Sequence, residues 1–135
     1  MIAQSPTTPT SARLEGVRVL AVEDRPDHLA LITRMLTEAG AKVSGVTSAQ
    51  EAFDDVHSNP PDVLILDLGL PDVSSLTVVR RLRALPGAAS MSIVAFTAET
   101  NASKRDEAIK QGVEYYVMKP DFVRLMHVVA HAAGR

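Results

Sequence analysis

Short apolar runs alternate with amphipathic segments five times along this chain of 135 residues. Strands are predicted over Val17–Val22, Lys42–Val46, Asp62–Leu66, Met91–Phe96 and Glu114–Met118. Each run is followed by a segment whose apolar residues recur at helical spacing. Strands that alternate with helices run parallel, because parallel neighbours need a crossover connection. The pattern therefore predicts an α/β fold, a parallel sheet with helices on both faces.

Five helices are predicted between and after these strands. They run over Pro26–Ala39, Ser48–His57, Ser74 or Ser75 to Leu85, Ala102–Gly112 and Asp121–Ala133. Glu51 stands three residues after Ser48, which is the spacing of a capping box at a helix start. The third strand is apolar throughout, a pattern typical of a strand buried on both faces. Periodicity by itself leaves the order of the strands open.

Length and composition indicate one domain over residues 16–135, preceded by a flexible N-terminal tail over residues 1–15 that is rich in Ser, Thr and Pro. The formal net charge is −2, which gives no general attraction to nucleic acid or to anionic membranes. No apolar run approaches the roughly 20 residues that span a bilayer, and no secretory signal is recognisable. We therefore expect a cytoplasmic protein with neither a nucleic-acid nor a membrane partner.

Polar side chains close four of the apolar runs. Glu23 and Asp24 follow the first run, and Asp67 follows the third. Thr97 follows the fourth, and Lys119 follows the fifth. Because parallel strands present their carboxyl ends at one edge of a sheet, these side chains are predicted to converge on one site.

The residue types at these strand ends suit phosphoryl chemistry on a metal. Crowded carboxylates repel one another, and a hard divalent cation relieves the repulsion. Ligands that offer only oxygen favour magnesium. A phosphoryl group could lie between the metal, the amine of Lys119 and the hydroxyl of Thr97, with Asp67 as its nucleophile. An acidic pair after a strand is often only a solvated turn, so the prediction depends on the four strand ends taken together.

Four segments also match a known family in order and at the expected intervals. They read VLAVED (Val19–Asp24), LILDLGLPD (Leu64–Asp72), VAFTA (Val94–Ala98) and GVEYYVMKP (Gly112–Pro120). With them the sequence resembles the response-regulator receiver domains of bacterial two-component signalling, over nearly the whole chain outside the predicted tail. The resemblance implies a flavodoxin-like, doubly wound sheet with strand order 2-1-3-4-5.

The resemblance implies a Mg²⁺ site at the acidic strand ends. Asp24 matches the direct metal ligand, and Glu23 matches the neighbour that holds a metal-bound water. Asp67 and the backbone carbonyl of Gly69 match the remaining protein ligands. Glu23 departs from the aspartate often found at its position, and its longer arm is expected to reach the same water.

The resemblance also implies which residues carry the phosphoryl chemistry. Asp67 resembles the phosphoacceptor, Thr97 the hydroxyl that binds a phosphoryl oxygen, and Lys119 the amine that pairs with the phosphoryl group. Tyr116 stands at the position of the switch aromatic, three residues before that lysine. Pro120 matches a proline that often follows a cis peptide bond.

The implied function is a signalling module. Asp67 would accept a phosphoryl group from a histidine kinase or a phosphotransfer protein. The face built from the fourth helix, the fifth strand and the fifth helix would then change shape for a downstream protein that the sequence does not name. The implied chemistry is self-directed: the domain catalyses only its own phosphorylation and dephosphorylation.

Three other functions are weighed against this one. A phosphohydrolase of the haloacid-dehalogenase type needs a second acid two residues after its nucleophile, where this chain has Gly69. A flavodoxin-like nucleotide or flavin binder needs a Gly-rich loop after the first strand, where Glu23 and Asp24 stand instead. A phosphate-independent interaction module remains an alternative, although the retained acceptor-site residues argue against it.

Two helices carry side chains outside this site. Val123, Val128 and Ala130 widen the apolar arc of the last helix, which suggests the hypothesis of a homodimer or of a docked partner. His127 and His131 are interpreted as part of a solvated polar stripe on the same helix.

Three arginines of the third helix and two histidines, His28 and His57, are also left outside the predicted site. Arg80, Arg81 and Arg83 form a basic patch on the third helix that is interpreted as solvated. His28 shows no partner pattern in the sequence.

Overall fold

The computed structural model describes residues 13–135, in which strands and helices alternate throughout. The strands are β1 (Arg18–Val22), β2 (Lys42–Val46), β3 (Val63–Leu66), β4 (Ser92–Thr97) and β5 (Tyr115–Met118). The helices are α1 (Pro26–Glu38), α2 (Ala49–Ser58), α3 (Ser75–Arg83), α4 (Ala102–Gln111) and α5 (Phe122–Ala132). All ten predicted elements are confirmed, with ends shifted by one or two residues. In this part of the chain, none of the helices is long and apolar enough to cross a bilayer.

The five strands form one parallel sheet in the order β2-β1-β3-β4-β5, which confirms the implied topology. The register brings the strand ends together. Val22 at the end of β1 pairs with Leu66 at the end of β3, so the residues that follow them lie side by side. Thr97 pairs with Met118, which places Lys119 beside the end of β4.

Both faces of the sheet are packed. Along the central strands, Leu20 and Leu64 face the apolar cluster beneath α2, α3 and α4. Val19 and Ile65 face the cluster that includes residues of α1 and α5. This alternation follows from the two-residue period of a strand. All four residues of β3 are buried, as the unbroken apolar run predicted.

The start of the folded domain lies earlier than predicted. Residues 1–12 of the predicted tail lie outside the described residues, but 13–16 form a turn. Leu14 is 1% exposed within the α1–α5 cluster, and its backbone N–H donates to the carbonyl of Ala39 at 2.8 Å. The turn lies close to Gly40, where an added Cβ would come within 3.1 Å of the Glu15 backbone. Assigning residues 13–15 to the tail was therefore wrong, because Leu14 fills the core beside the end of α1.

The arc of α5 is less exposed than predicted. Val123 is 64% exposed, but Val128 is partly buried against the α1–α5 cluster. Ala130 is 1% exposed and belongs to that cluster, so its assignment to an outer apolar surface was wrong. His127 and His131 are exposed, in agreement with the predicted polar stripe.

The basic residues of α3 do not form one solvated patch. Arg80 is exposed. The guanidinium of Arg81 lies 4.0 Å from the centre of the Phe53 ring, a cation–π distance. Arg83 turns inward, and only 21% of its side chain is exposed.

Arg83 binds the backbone at the amino-terminal end of β4 and β5. Its guanidinium donates to the carbonyls of Ala88, Met91 and Gly112, the last at 2.8 Å, and pairs with the Glu114 carboxylate at 3.3 Å. We refer to this cluster as the Arg83 anchor. It joins the end of α3 to the chain entering β4 and to the chain entering β5.

Candidate functional site

The predicted polar residues meet at the carboxyl edge of the sheet. Glu23 and Asp24 follow β1, Asp67 follows β3, Thr97 ends β4 and Lys119 follows β5. Glu23, Asp67 and Thr97 are buried, with 1%, 8% and 2% of their surface exposed. Asp24 is exposed, so the cluster opens to solvent on the side of this residue.

Lys119 bridges two of the buried carboxylates. Its Nζ lies 2.7 Å from Glu23 Oε1 and 3.0 Å from Asp67 Oδ2, and at most 10% of each of these side chains is exposed. The Lys119–Pro120 peptide bond is cis, as the resemblance implied. The ammonium of Lys119 is thus an internal counterion for two acids.

Burial and pairing act on these charges in opposite directions. Burial by itself lowers the pKa of Lys119, but hydrogen bonds to Glu23 and Asp67 outweigh it, and the pKa is raised. Burial raises the pKa of Glu23, against the lowering effect of the Lys119 ammonium. Lys119 therefore keeps its positive charge at neutral pH.

Both oxygens of Asp67 have defined partners. Oδ2 faces Lys119, and Oδ1 accepts the backbone N–H of Gly69 at 2.9 Å. The backbone N–H of Asp67 continues the sheet by donating to the carbonyl of Val22 at 3.1 Å. The carboxylate is thus fixed in direction by the strand behind it and by donors on either side.

The acidic residues have the composition and spacing of a site for a hard cation. Glu23, Asp24 and Asp67 each offer a carboxylate oxygen, and these oxygens lie within 4.8 Å of one another. Oxygen-only donors around one point suit Mg²⁺. The donor set therefore fits the ion that the sequence predicted. The role of the Gly69 carbonyl as the third protein ligand stays a prediction.

Thr97 and Tyr116 are connected through the backbone of one residue. Thr97 Oγ1 accepts the N–H of Glu99 at 3.3 Å, and the Tyr116 hydroxyl donates to the Glu99 carbonyl at 3.0 Å. Tyr116 is half-buried against the cluster under α2, α3 and α4, and burial raises its pKa. A displacement of the chain at Glu99 would therefore affect both predicted switch residues.

One neighbour of the site was missed in the sequence. His28 lies in the first turn of α1, and its Nδ1 is 3.8 Å from Glu23 Oε1. That nitrogen is buried and has no hydrogen-bond partner among residues 13–135. Its position five residues after Glu23 was a usable signal, because the first turn of a helix that follows a strand lies at the strand's carboxyl end.

The ring of His28 is held by an aromatic contact chain. It meets the Phe122 ring edge-to-face at 5.7 Å, and Phe122 meets Phe96 edge-to-face at 5.1 Å. Phe96 precedes Thr97, and Phe122 begins α5. These contacts connect the start of α1 to the ends of β4 and β5.

Comparison with known proteins gives a family match over most of the chain. A family model described as the response regulator receiver domain matches residues 19–130. The transcriptional regulatory protein KdpE of Mycobacterium tuberculosis is 35% identical over 102 residues, which are 76% of this chain and 44% of KdpE. The chain thus spans less than half the length of that relative.

Two further relatives differ greatly in size. An uncharacterized 14.6 kDa protein of Leptolyngbya boryana is 30% identical over 117 residues, covering 86% of this chain and 89% of that protein. The sensor histidine kinase GacS of Pseudomonas protegens is 30% identical over 124 residues, covering 84% of this chain but 14% of the kinase.

Solved structures share the fold along most of the chain. A putative response regulator from Chloroflexus aurantiacus is 28% identical with a TM-score of 0.80, covering 88% of this chain and 98% of that one. The receiver domain of the sensor histidine kinase PA1611 from Pseudomonas aeruginosa is 26% identical with a TM-score of 0.80, covering 89% and 99%. That structure is described with a magnesium ion coordinated in its active-site cleft.

Proposed function

The chain belongs to the family of response regulator receiver domains, and on this premise we propose that it is a phosphoacceptor module with Asp67 as the acceptor. The donor is a phosphohistidine on a histidine kinase or on a phosphotransfer protein, met in the cytoplasm. The observation that carries the proposal is the state of the Asp67 carboxylate, which is buried and held between the Lys119 ammonium and the Gly69 N–H.

The proposed transfer is a substitution at phosphorus. A carboxylate oxygen of Asp67 attacks the phosphorus, so that an O–P bond forms and the N–P bond to the donor imidazole breaks. The electron pair of that bond stays on the nitrogen, and the imidazole leaves in its neutral form because its other ring nitrogen carries a proton, taken up from water where it was absent. Water later cleaves the acyl phosphate, which restores the Asp67 carboxylate and releases inorganic phosphate.

Two side chains of the site have proposed roles towards the phosphoryl group. The Lys119 ammonium lies 3.0 Å from Asp67 Oδ2 and would neutralise the charge that arrives there. The Thr97 hydroxyl is buried at the end of the adjacent strand and would bind a phosphoryl oxygen. The Lys119 ammonium already contacts Asp67, whereas the Thr97 hydroxyl would have to move towards the phosphoryl group.

Mg²⁺ is the proposed cofactor. Asp24, Asp67 and the Gly69 carbonyl would bind it directly, and Glu23 through a water. The ion would supply positive charge against the crowded acids and the phosphoryl oxygens. The support for this role is the cluster of three carboxylate oxygens within 4.8 Å.

The proposed output is a change of the face formed by α4, β5 and α5. A phosphoryl group on Asp67 carries about −1.5 to −2 charge, in place of the single charge of the carboxylate, and brings three acceptor oxygens. Thr97 would move towards those oxygens, and the Glu99 backbone that it shares with Tyr116 would follow. Tyr116 then turns inward, and the population shifts towards a surface that binds a downstream protein. A homodimer through the exposed Val123 and its neighbours is a further form of this output.

The proposal is tested by phosphorylation with a small donor. Incubation with acetyl phosphate and Mg²⁺ is expected to add the mass of one phosphoryl group, and chelation of the metal is expected to abolish the addition. Asp67→Asn should remain unlabelled. Asp54→Asn, which removes an exposed carboxylate of α2, should be labelled like the unchanged protein. Labelling of the Asp67 variant, or none in the unchanged protein, would refute the proposal.

The same experiment separates the alternatives. A phosphate-independent interaction module would show no Mg²⁺-dependent mass change. It would bind the same partner with and without Asp67→Asn. A phosphohydrolase would release phosphate continuously from phosphate esters. That activity is not expected, because Gly69 offers no second acid beside Asp67.

A further inference from the structure

We propose that His28 is a positioning residue. Its Nδ1–H donates a hydrogen bond to the Glu23 carboxylate when Lys119 turns to the phosphoryl group. The inference rests on the proposed function, because it assigns His28 a role only in the phosphorylated state. The juxtaposition that motivates it is a buried, unpartnered ring nitrogen 3.8 Å from a buried carboxylate oxygen.

In the resting structure each oxygen of the Glu23 carboxylate accepts a hydrogen bond. Oε1 faces the Lys119 ammonium at 2.7 Å, and Oε2 accepts the backbone N–H of Arg25 at 3.2 Å. Glu23 is 1% exposed, so bulk water has almost no access to it. Loss of the Lys119 contact would therefore leave Oε1 to the metal-bound water proposed for Glu23 or to a donor within the protein.

Phosphorylation makes new acceptors for Lys119. Its ammonium has three N–H donors, and the oxygens of a phosphoryl group on Asp67 would compete for them. Each donor that turns to the phosphoryl group is one that Glu23 can lose. A buried carboxylate oxygen that loses a donor is destabilised, so a second donor at Oε1 would stabilise the phosphorylated state.

His28 is placed to be that donor. At 3.8 Å its Nδ1 is beyond hydrogen-bond distance from Glu23 Oε1, which Lys119 occupies at present. A small rotation closes the gap when the ring carries its proton on Nδ1. Buried polar atoms without partners are rare in folded proteins, and a partner that becomes available in the second state explains this one.

The aromatic contacts set the plane of the ring in advance. The edge-to-face contact with Phe122, and that of Phe122 with Phe96, limit how His28 can turn. Phe122 lies three residues after Lys119, and Phe96 lies directly before Thr97. Movement of Lys119 or Thr97 would thus shift the aromatic contacts that orient the His28 ring.

Two variants separate hydrogen bonding from packing. His28→Phe keeps an aromatic ring against Phe122 but removes the N–H. His28→Gln loses the ring but keeps an N–H donor of similar reach. For both variants and the unchanged protein, we would measure the affinity for beryllofluoride at saturating Mg²⁺ by calorimetry. The affinity of the resting protein for Mg²⁺ alone and the midpoint of thermal unfolding would be measured at the same pH.

The inference predicts an effect confined to the activated state. His28→Phe should weaken beryllofluoride binding about tenfold, the scale of one hydrogen bond to a charged group, and His28→Gln should recover most of that loss. Mg²⁺ binding by the resting protein should stay unchanged in both variants, because Lys119 still holds Glu23 there.

Three results would overturn it. The first is that His28→Phe binds beryllofluoride as tightly as the unchanged protein, and the second is that both variants are weakened equally. The Mg²⁺ affinity and the unfolding midpoint can fall in parallel with the beryllofluoride affinity, which indicates only a structural role. If the unchanged protein itself fails to bind beryllofluoride with Mg²⁺, the proposed function fails and takes this inference with it.

Discussion

Two buried cations lie at opposite ends of the same sheet, and they are held in different ways. Lys119, at the carboxyl end, is bound by the side-chain carboxylates of Glu23 and Asp67. Arg83, at the amino end, donates mainly to backbone carbonyls, including those of Met91 and Gly112. The partners of Lys119 are side chains that can turn to another ligand, whereas Glu114 is the one side chain among the partners named for Arg83.

The difference indicates which cluster can act as a switch. Backbone carbonyls next to strands cannot move without disturbing the sheet, so the Arg83 anchor has one arrangement. Under the proposed function the carboxylates around Lys119 bind a metal ion and Asp67 accepts a phosphoryl group, so the same ammonium would serve more than one state. Exchangeable partners, rather than burial or charge alone, mark the functional end of the molecule.

The largest expected effect comes from removing the exchangeable cation. Lys119→Met leaves Glu23 and Asp67 buried without a counterion, and we expect a loss of about 3–5 kcal/mol in the free energy of unfolding. Saturating Mg²⁺ should restore a large part of this loss, because the ion would replace the missing charge. Urea unfolding with and without Mg²⁺ measures both. Lys104→Met, at a lysine whose side chain is 65% exposed, is the control and should change little.

The fixed cation should respond differently. Arg83→Met removes several charged hydrogen bonds, and we expect a loss of about 2–4 kcal/mol. Mg²⁺ should give no recovery, and labelling by acetyl phosphate should persist at temperatures where the variant is folded. Arg34→Met, at an arginine with 75% of its side chain exposed, is the control. If Mg²⁺ rescued the Arg83 variant as well as the Lys119 variant, the contrast between the two ends would disappear.

Thr97 tests a smaller part of the exchangeable end. Thr97→Val keeps the shape of a buried side chain but removes the oxygen that accepts the Glu99 N–H. We expect a change of only about 1 kcal/mol in unfolding free energy. Amide resonances around Tyr116 should no longer shift when beryllofluoride and Mg²⁺ are added. Thr97→Ser keeps the hydroxyl and should preserve the shifts; equal responses from the two variants would remove Thr97 from the switch.

Glu51 provides the smallest and most local comparison, a charge fixed by a helix start. The backbone N–H of Thr47 holds the pKa of the Glu51 carboxyl below its usual 4.5. Its stabilising contribution is therefore fully present above pH 4.5 and is lost as the pH falls through the lower value of the folded state. The unfolding midpoint of Glu51→Gln should fall slightly below that of the unchanged protein at neutral pH and converge with it in acid. A difference in unfolding midpoint that persists unchanged in acid would contradict this role of the Glu51 charge. The control is Glu38→Gln, at an exposed carboxylate that pairs with Arg34.

Most of the fold follows from features that are local in sequence. The apolar runs give the strands, and Asp67 and Lys119 are recognisable because each directly follows a run. Strand order is not local, and it came from the family resemblance. The site was predictable because parallel strands bring their carboxyl ends together whatever the details of packing.

The errors concern partners that are distant in sequence. Arg83 was interpreted as solvated, but it reaches the carbonyl of Gly112, 29 positions further along the chain. His28 meets Phe122 only after α1 and α5 pack side by side. Leu14 is buried by the end of α1 rather than by its own neighbours. The periodicity of apolar residues does not predict such contacts, because almost any backbone carbonyl or aromatic ring in the chain could be the partner.

The complete burial of β3 has a mechanical consequence. This strand has a neighbour on each side and a packed apolar layer on each face, so it cannot yield when charge is added at its tip. β5 is an edge strand that pairs with β4, and its Met118 is 38% exposed. Under the proposed function, phosphorylation at the end of the enclosed strand would change the structure at the edge strand, and a downstream protein would bind there rather than at the modified residue.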